Sequence, residues 1–144
     1  MFIGEYTHSI DDKKRLSVPA KFRKVLGKKA VITHGLNRCL AVYSAKEWAA
    51  FAEKLAKLSM GRAEDRGFSR FMLAGAYDVE VDSIGRVLIP ESLRAYAGLG
   101  EKVVLAGVYD RIEVWDDAAW KSYKASLEAK ADEVAERLGE SGVF

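Results

Sequence analysis

The chain has 144 residues, 49% of them hydrophobic and 31% charged, with two prolines and a single cysteine. That composition excludes a disordered low-complexity chain, an internal disulfide framework and a zinc site built on cysteine alone. No apolar run approaches the roughly 18–20 residues of a membrane span, and the opening MFIGEYTHSIDDKKR has no signal-peptide core, so a soluble cytoplasmic protein is expected.

The net charge of +2 is a cancellation. Residues 1–58 hold 12 basic and 5 acidic side chains, a balance of +7, while residues 59–144 hold 11 and 16, a balance of −5. From Lys13 to Lys29 there are eight basic residues (Lys13, Lys14, Arg15, Lys21, Arg23, Lys24, Lys28, Lys29) and no acid. A positive patch beside an acidic remainder suits a polyanion, although a charge run also serves as a plain solvated face.

The chain is written twice. A shift of 71 residues lays Gly4 on Gly75, Tyr6 on Tyr77, Asp11 on Asp82, Arg15 on Arg86, Pro19 on Pro90, Arg23 on Arg94 and Gly27 on Gly98. A shift of 72 then pairs Val31 with Val103, Gly35 with Gly107, Val42 with Val114 and Trp48 with Trp120. Two copies are too few for an extended solenoid, so the halves are expected to pack together as one unit.

In chain order, each copy opens with an extended run (Phe2–Thr7; Ala76–Val81), a polar turn (Asp11–Lys14; Asp82–Gly85) and a second short run (Arg15–Val18; Arg86–Ile89). Two apolar runs about a turn predict a local β-hairpin. Pro19 and Pro90 suit the start of a short helix, and Gly27 and Gly98 its end. Two more strands follow in each copy, 30–33 with 39–43 and 102–106 with 111–115. Each copy closes with a helix. Ser44 and Glu47 make a capping box, and Asp116 caps the second. Trp48, Phe51 and Leu55 form one apolar stripe. Trp120, Tyr123 and Leu127 form the other, which continues through Ala131, Val134 and Leu138 to predict a helix of about six turns. The linking segment 62–74 is also expected to be helical. The copies are therefore placed at 1–58 and 75–144, with a connecting helix in 59–74.

The chemistry of catalysis is missing. His8 and His34 lack partners at metal-ligand spacing, and there is no Gly-x-Ser-x-Gly elbow, phosphate loop or dinucleotide fingerprint. Asp11 and Asp12 open a tight turn, where carboxylates accept backbone hydrogen bonds. Cys39, in an apolar run, reads as a small buried hydrophobe. What remains is the Asp-x-x-x-Arg unit, Asp11 to Arg15 and Asp82 to Arg86, whose carboxylate and guanidinium can pair across the turn. Lys13 and Lys14 of the first turn are replaced by Ile84 and Gly85 in the second, so the first copy is expected to bind and the second to pack.

These residues carry a family resemblance. The Met1-Phe2-Ile3-Gly4 opening, Asp11-Asp12-Lys13-Lys14-Arg15-Leu16-Ser17-Val18-Pro19, Asp82-Ser83-Ile84-Gly85-Arg86-Val87-Leu88-Ile89-Pro90 and the Arg70-Phe71 connection resemble the MraZ family of bacterial transcriptional regulators along essentially the whole chain. Asp12 and Lys14 depart from the smaller residues often found in the first turn and leave the Asp11/Arg15 frame intact. The resemblance implies an α+β, β-rich fold: a pseudo-twofold tandem of swapped-hairpin, AbrB-like βαββα modules forming one barrel-like unit with flanking helices. The residues themselves lead to the expectation of no enzyme activity, no cofactor and no metal. The resemblance also implies a homo-oligomeric ring, octameric or larger, that is cytoplasmic and nucleoid-associated. Such a ring binds repeated boxes of double-stranded promoter DNA and represses the division and cell-wall gene cluster that begins with its own gene.

Carried onto this sequence, the DNA-binding residues would be Arg15 as principal reader, with Lys13, Lys14 and Ser17 near it. Lys21, Arg23, Lys24, Lys28 and Lys29 would add phosphate contacts. Asp11, Asp82 and Arg86 would hold the turns. The competing class is a structural ring module that binds RNA or protein. The first turn has no aromatic residue to stack unpaired bases, which weighs against RNA.

Overall fold

The computed structural model describes residues 1–143. The first copy contributes β1 (Phe2–Ser9), β2 (Arg15–Ser17), α1 (Ala20–Leu26), β3 (Lys29–His34), β4 (Leu40–Ser44) and α2 (Ala45–Ala56). After α3 (Ala63–Ala74) the second contributes β5 (Tyr77–Glu80), β6 (Arg86–Leu88), α4 (Glu91–Ala97), β7 (Lys102–Tyr109), β8 (Ile112–Asp116) and α5 (Asp117–Glu140).

The expected local hairpin does not form. β1 runs antiparallel to β7 of the other copy over its full length, from Phe2 opposite Tyr109 to Ser9 opposite Lys102. Reciprocally, β5 pairs with β3, from Lys29 opposite Glu80 to Ile32 opposite Tyr77. Between β1 and β2 only one bridge remains, Ile10 to Leu16. The polar turn still reverses the chain, but each opening strand finds its ladder in the other copy. The copies are thus interlocked.

The result is an α+β, strand-rich protein with two repeat-like halves. A six-stranded sheet of order β1-β7-β8-β4-β3-β5 lies beside a two-stranded ribbon, β2-β6. The ladders leave β1 and β5 as edges, so they show no closed barrel, and the ribbon meets the sheet through the Ile10–Leu16 bridge. Two cross-copy ladders mark a pseudo-twofold axis. In the ribbon Leu16 faces its own equivalent Val87, and in the sheet Ala41 faces its equivalent Glu113.

Alternation along the central strands builds a core on both faces of the sheet. Ala30, Ile32, Leu40, Val42, Val103, Leu105, Ile112 and Val114 point to one face, where Leu16, Val87, Phe22 and Leu93 close over them. Phe2 and Tyr6 meet the Phe22 ring edge-on at 5.5 and 5.2 Å. The opposite face carries Tyr43 and Trp115. Tyr43 stacks on Phe51 of α2 and Trp115 on Tyr123 of α5, at 5.4 and 4.9 Å. This parity corrects one correspondence between copies. Ala30 occupies the place of Val103, because both begin the buried alternation and both pair with an opening strand. The shift is therefore 73 here, and matching Val31 to Val103 would exchange the two faces of a strand whose side-chain period is 2.

Local chemistry sets the helix ends. Ser44 accepts the Glu47 N–H at 3.2 Å, and Asp116 accepts the Ala119 N–H at 3.4 Å. Thr33, the buried polar side chain of β3, donates to the Met72 carbonyl at 2.7 Å, and His34 lies 3.0 Å from the Phe71 carbonyl, so β3 holds the C-terminal turn of α3. At the other end of the chain, Glu5 of β1 accepts from the Trp120 indole at 2.8 Å and pairs with Lys124 at 2.6 Å, which ties α5 to the body. Beyond that clasp the apolar stripe changes character: Leu127, Val134 and Leu138 are 46%, 39% and 41% exposed.

Candidate nucleic-acid interface

The two Asp-x-x-x-Arg units fold as Asx turns of the same design. In the first, Asp11 Oδ1 accepts the Lys13 and Arg15 N–H groups, each at 2.9 Å, and Oδ2 accepts Arg15 Nε at 3.0 Å. In the second, Asp82 Oδ1 accepts the Ile84 and Arg86 N–H groups at 3.1 and 2.8 Å, and Oδ2 accepts Arg86 Nε at 2.8 Å. These bonds need the ionised carboxylate. Hydrogen bonds from the arginine N–H, reinforced by the guanidinium, hold Asp11 and Asp82 below the usual aspartate range.

The turns are also bonded to each other. Val18 N–H donates to the Gly85 carbonyl at 2.8 Å, and Ile89 N–H donates to the Lys14 carbonyl at 2.9 Å. Across the ribbon Leu16 and Val87 are buried, while Arg15 faces Leu88 and Ser17 faces Arg86 on the outward side. The arginines are held differently. Arg86 lies between two carboxylates, with Nη1 3.9 Å from Asp11 Oδ2 as well as Nε on Asp82. Arg15 gives only Nε to Asp11, and among the described residues nothing hydrogen-bonds its two Nη groups. That fork is available to a bidentate acceptor.

The fourth turn position requires a left-handed backbone. Gly85 meets this at φ +85°, but Lys14 occupies the same place at φ +64°. A left-handed conformation costs a residue with a Cβ about 1–2 kcal/mol, so the lysine side chain is kept at the expense of a relaxed turn.

Arg23, Lys28 and Lys29 lie toward the second turn rather than at the first tip. Lys21, Arg23, Lys24, Lys28 and Lys29 are all exposed. Arg23 reaches the second turn, where Nη1 donates to the Ile84 carbonyl at 3.4 Å and its side chain lies where a Cβ on Gly85 would stand. The Lys28 carbonyl accepts from Val81 just before that turn, at 2.8 Å, and Lys29 faces Glu80. Because the copies are interlocked, α1 carries first-copy charge onto the second turn. Beside the first turn opens a cleft of ≈ 670 Å³ whose lining includes Asp11, Asp12, Glu91 and Glu101 against Lys14 and Arg94, a balance unsuited to a polyanion.

Leu88 was not among the residues expected at the site, although it shares the outward face of the ribbon with Arg86. The in–out alternation of Arg86-Val87-Leu88 was the available signal. Cys39 matches its reading as a buried hydrophobe: it is fully buried, and burial pushes its thiol up to about 12. Among the described residues, no group of three or more His, Cys, Asp or Glu side chains could hold a metal ion, and no helix is long and apolar enough to cross a membrane.

Comparison with known proteins joins these features to a family. The family profile described as MraZ protein matches twice, over residues 1–71 and 72–140. A protein of Acetivibrio thermocellus named transcriptional regulator MraZ is 46% identical over 143 residues, covering 99% of this chain and 100% of its own length. Proteins of the same name from Caldicellulosiruptor saccharolyticus and Alkaliphilus metalliredigens are 45% and 46% identical over the same share of each chain. With both halves matched and close relatives aligned from end to end, the chain belongs to the MraZ family.

Proposed function

We propose that this chain is a non-enzymatic transcriptional regulator that binds double-stranded DNA in a sequence-specific way through its first Asp-x-x-x-Arg turn. Support comes from the names of its relatives and, above all, from one observation: Arg15 is oriented by Asp11 through Nε while, among the described residues, its two Nη groups make no hydrogen bond. An end-on guanidinium fork fits O6 and N7 of guanine in the major groove, a contact worth about 1–3 kcal/mol of discrimination. Lys13 and Lys14 at the tip contact phosphates and set register, Ser17 lies next to the reader, and Lys21, Arg23, Lys24, Lys28 and Lys29 extend the contact along the backbone. Asp11, Asp82 and Arg86 keep the paired turns in shape.

One ribbon offers few base contacts, so useful affinity needs several ribbons on several boxes. A homo-oligomeric ring of interlocked, AbrB-like modules meeting repeated promoter boxes supplies that avidity, about 10²–10⁴. The exposed Leu127, Val134 and Leu138 of α5 are candidates for contacts between subunits. The target in this reading is the promoter of the protein's own gene and the division and cell-wall cluster it heads, acting as a repressor at the nucleoid. A gel shift with DNA from just upstream of the gene, against unrelated duplex and RNA competitors, tests it. Selective retention of the upstream duplex is expected, and equal competition by RNA or unrelated DNA would refute it.

A further inference from the structure

The outward face of the ribbon holds an apolar side chain that neither the turn chemistry nor the core uses. Leu88 is 57% exposed, although the β6 residue before it, Val87, is buried. Isolated exposed leucines are ordinary on protein surfaces, so exposure alone says nothing. Its position says more. Leu88 is directly opposite Arg15 in the β2–β6 ladder. Ile89 N–H bonds to the Lys14 carbonyl and Val18 N–H to the Gly85 carbonyl, and antiparallel pairs alternate, so Arg15 and Leu88 form a non-hydrogen-bonded pair. Such pairs have their Cα atoms about 4.5 Å apart and their side chains close together. The leucine therefore stands beside the guanidinium on the same surface, and it comes from the other copy.

Base pairs follow one another at about 3.4 Å along a strand. A side chain roughly one residue's width from a guanine-reading arginine meets the neighbouring base step. The one apolar feature a base pair shows in the major groove is the thymine 5-methyl group. We propose that Leu88 is a specificity-determining residue that reads the 5-methyl group of a thymine adjacent to the guanine read by Arg15. This rests on the DNA-reading function proposed above and adds the second copy to it. Arg15 directly opposite Leu88, and Lys14, whose carbonyl accepts the neighbouring Ile89 N–H, favour a nucleic acid over an apolar protein partner at this spot. Arg15 supplies the polar half of the recognition and Leu88 the apolar half, so the box is read by both copies at once.

The experiment uses the full chain. Selection from random duplexes defines the box, and Arg15→Ala identifies the guanine whose discrimination is lost. Each neighbouring thymine is then replaced by uracil, which removes only the 5-methyl group. For the unaltered protein, uracil at one position should weaken binding about threefold to fivefold per box, the equivalent of one buried methyl group. Leu88→Ser should bind the thymine and uracil duplexes equally, and Leu88→Val should restore the preference for thymine. Because Leu88 is exposed, melting temperature and solution mass should stay unchanged in both variants. If uracil is tolerated at every neighbouring position, or if Leu88→Ser still prefers thymine, the assignment is overturned. A changed assembly mass with thymine preference intact would overturn it too, in favour of a contact between copies of the chain. If no box is selected, or Arg15→Ala still selects the same box, the underlying DNA-reading function falls, a result separate from the uracil series.

Discussion

The first and second turns of this protein have the same skeleton and opposite surfaces. Each aspartate accepts two backbone N–H groups and one guanidinium Nε, with corresponding distances of 2.9, 2.9 and 3.0 Å in the first turn and 3.1, 2.8 and 2.8 Å in the second. Around that frame the first turn carries Lys13 and a strained left-handed Lys14, while the second carries Ile84 and an unstrained Gly85. Arg86 sits between two carboxylates and Arg15 beside one. Duplication supplied one reliable way to turn the chain and hold an arginine. Divergence then allowed one turn to give up backbone comfort for charge, while the other kept its conformation.

Breaking the arginines separately should give the largest contrast. Arg15→Ala is expected to abolish preference for the promoter boxes, since about 1–3 kcal/mol is lost at every engaged turn, with fold and assembly preserved. Arg86→Ala should lower the melting temperature, because Asp82 and Asp11 lose a shared cation, and leave box preference in place. Parallel gel shifts and thermal denaturation distinguish the two. Box preference lost selectively in Arg86→Ala would reverse the division of labour.

Exchanging the fourth turn residues probes the strain. Gly85→Ala should destabilise the protein by about 1–2 kcal/mol, since a Cβ is forced into a left-handed backbone and against Arg23. Lys14→Gly should act in the opposite direction, raising stability by about 1 kcal/mol while weakening DNA binding. Denaturant titration reads both, and a destabilised Lys14→Gly would show that the lysine is not held at a cost.

Salt dependence should sharpen the difference between the tips. Lys13→Ala combined with Lys14→Ala is expected to reduce the slope of log K against log salt by roughly two for each engaged turn. Ser83→Ala combined with Ile84→Ala should leave it unchanged. An unaltered slope in the lysine variant would place the phosphate contacts on α1.

The smallest expected effect is on acid stability. Asp11 and Asp82 have folded pKa values below the ordinary aspartate value of about 3.9, so their contribution is fully present above that value. It is lost as pH falls through the lowered folded values. Asp82→Asn should therefore flatten stability against pH below about pH 4, and Asp11→Asn should do the same, with the added loss of Arg15 orientation. Thermal melts across pH 2–6 check the sign.

Much of this molecule is legible in the one-dimensional chain. Turn chemistry depends on residues two and four apart, so Asp11 with Arg15 and Asp82 with Arg86 declare their hydrogen bonds without a structure. Capping depends on residues three apart, so Ser44 and Asp116 announce helix starts, and the stripes of Trp48 and Trp120 announce which helix faces pack. The repeat itself is a matter of alignment. Strand partners are different, because a ladder matches any extended segment of suitable register and leaves no local mark of which copy provides it. Only the tertiary structure could decide that β1 joins β7 and β5 joins β3, and that Ala30 rather than Val31 takes the place of Val103. The same exchange brings Arg23 to the second turn and Leu88 beside Arg15, contacts that no sequence spacing contains because their residues lie in different halves of the chain.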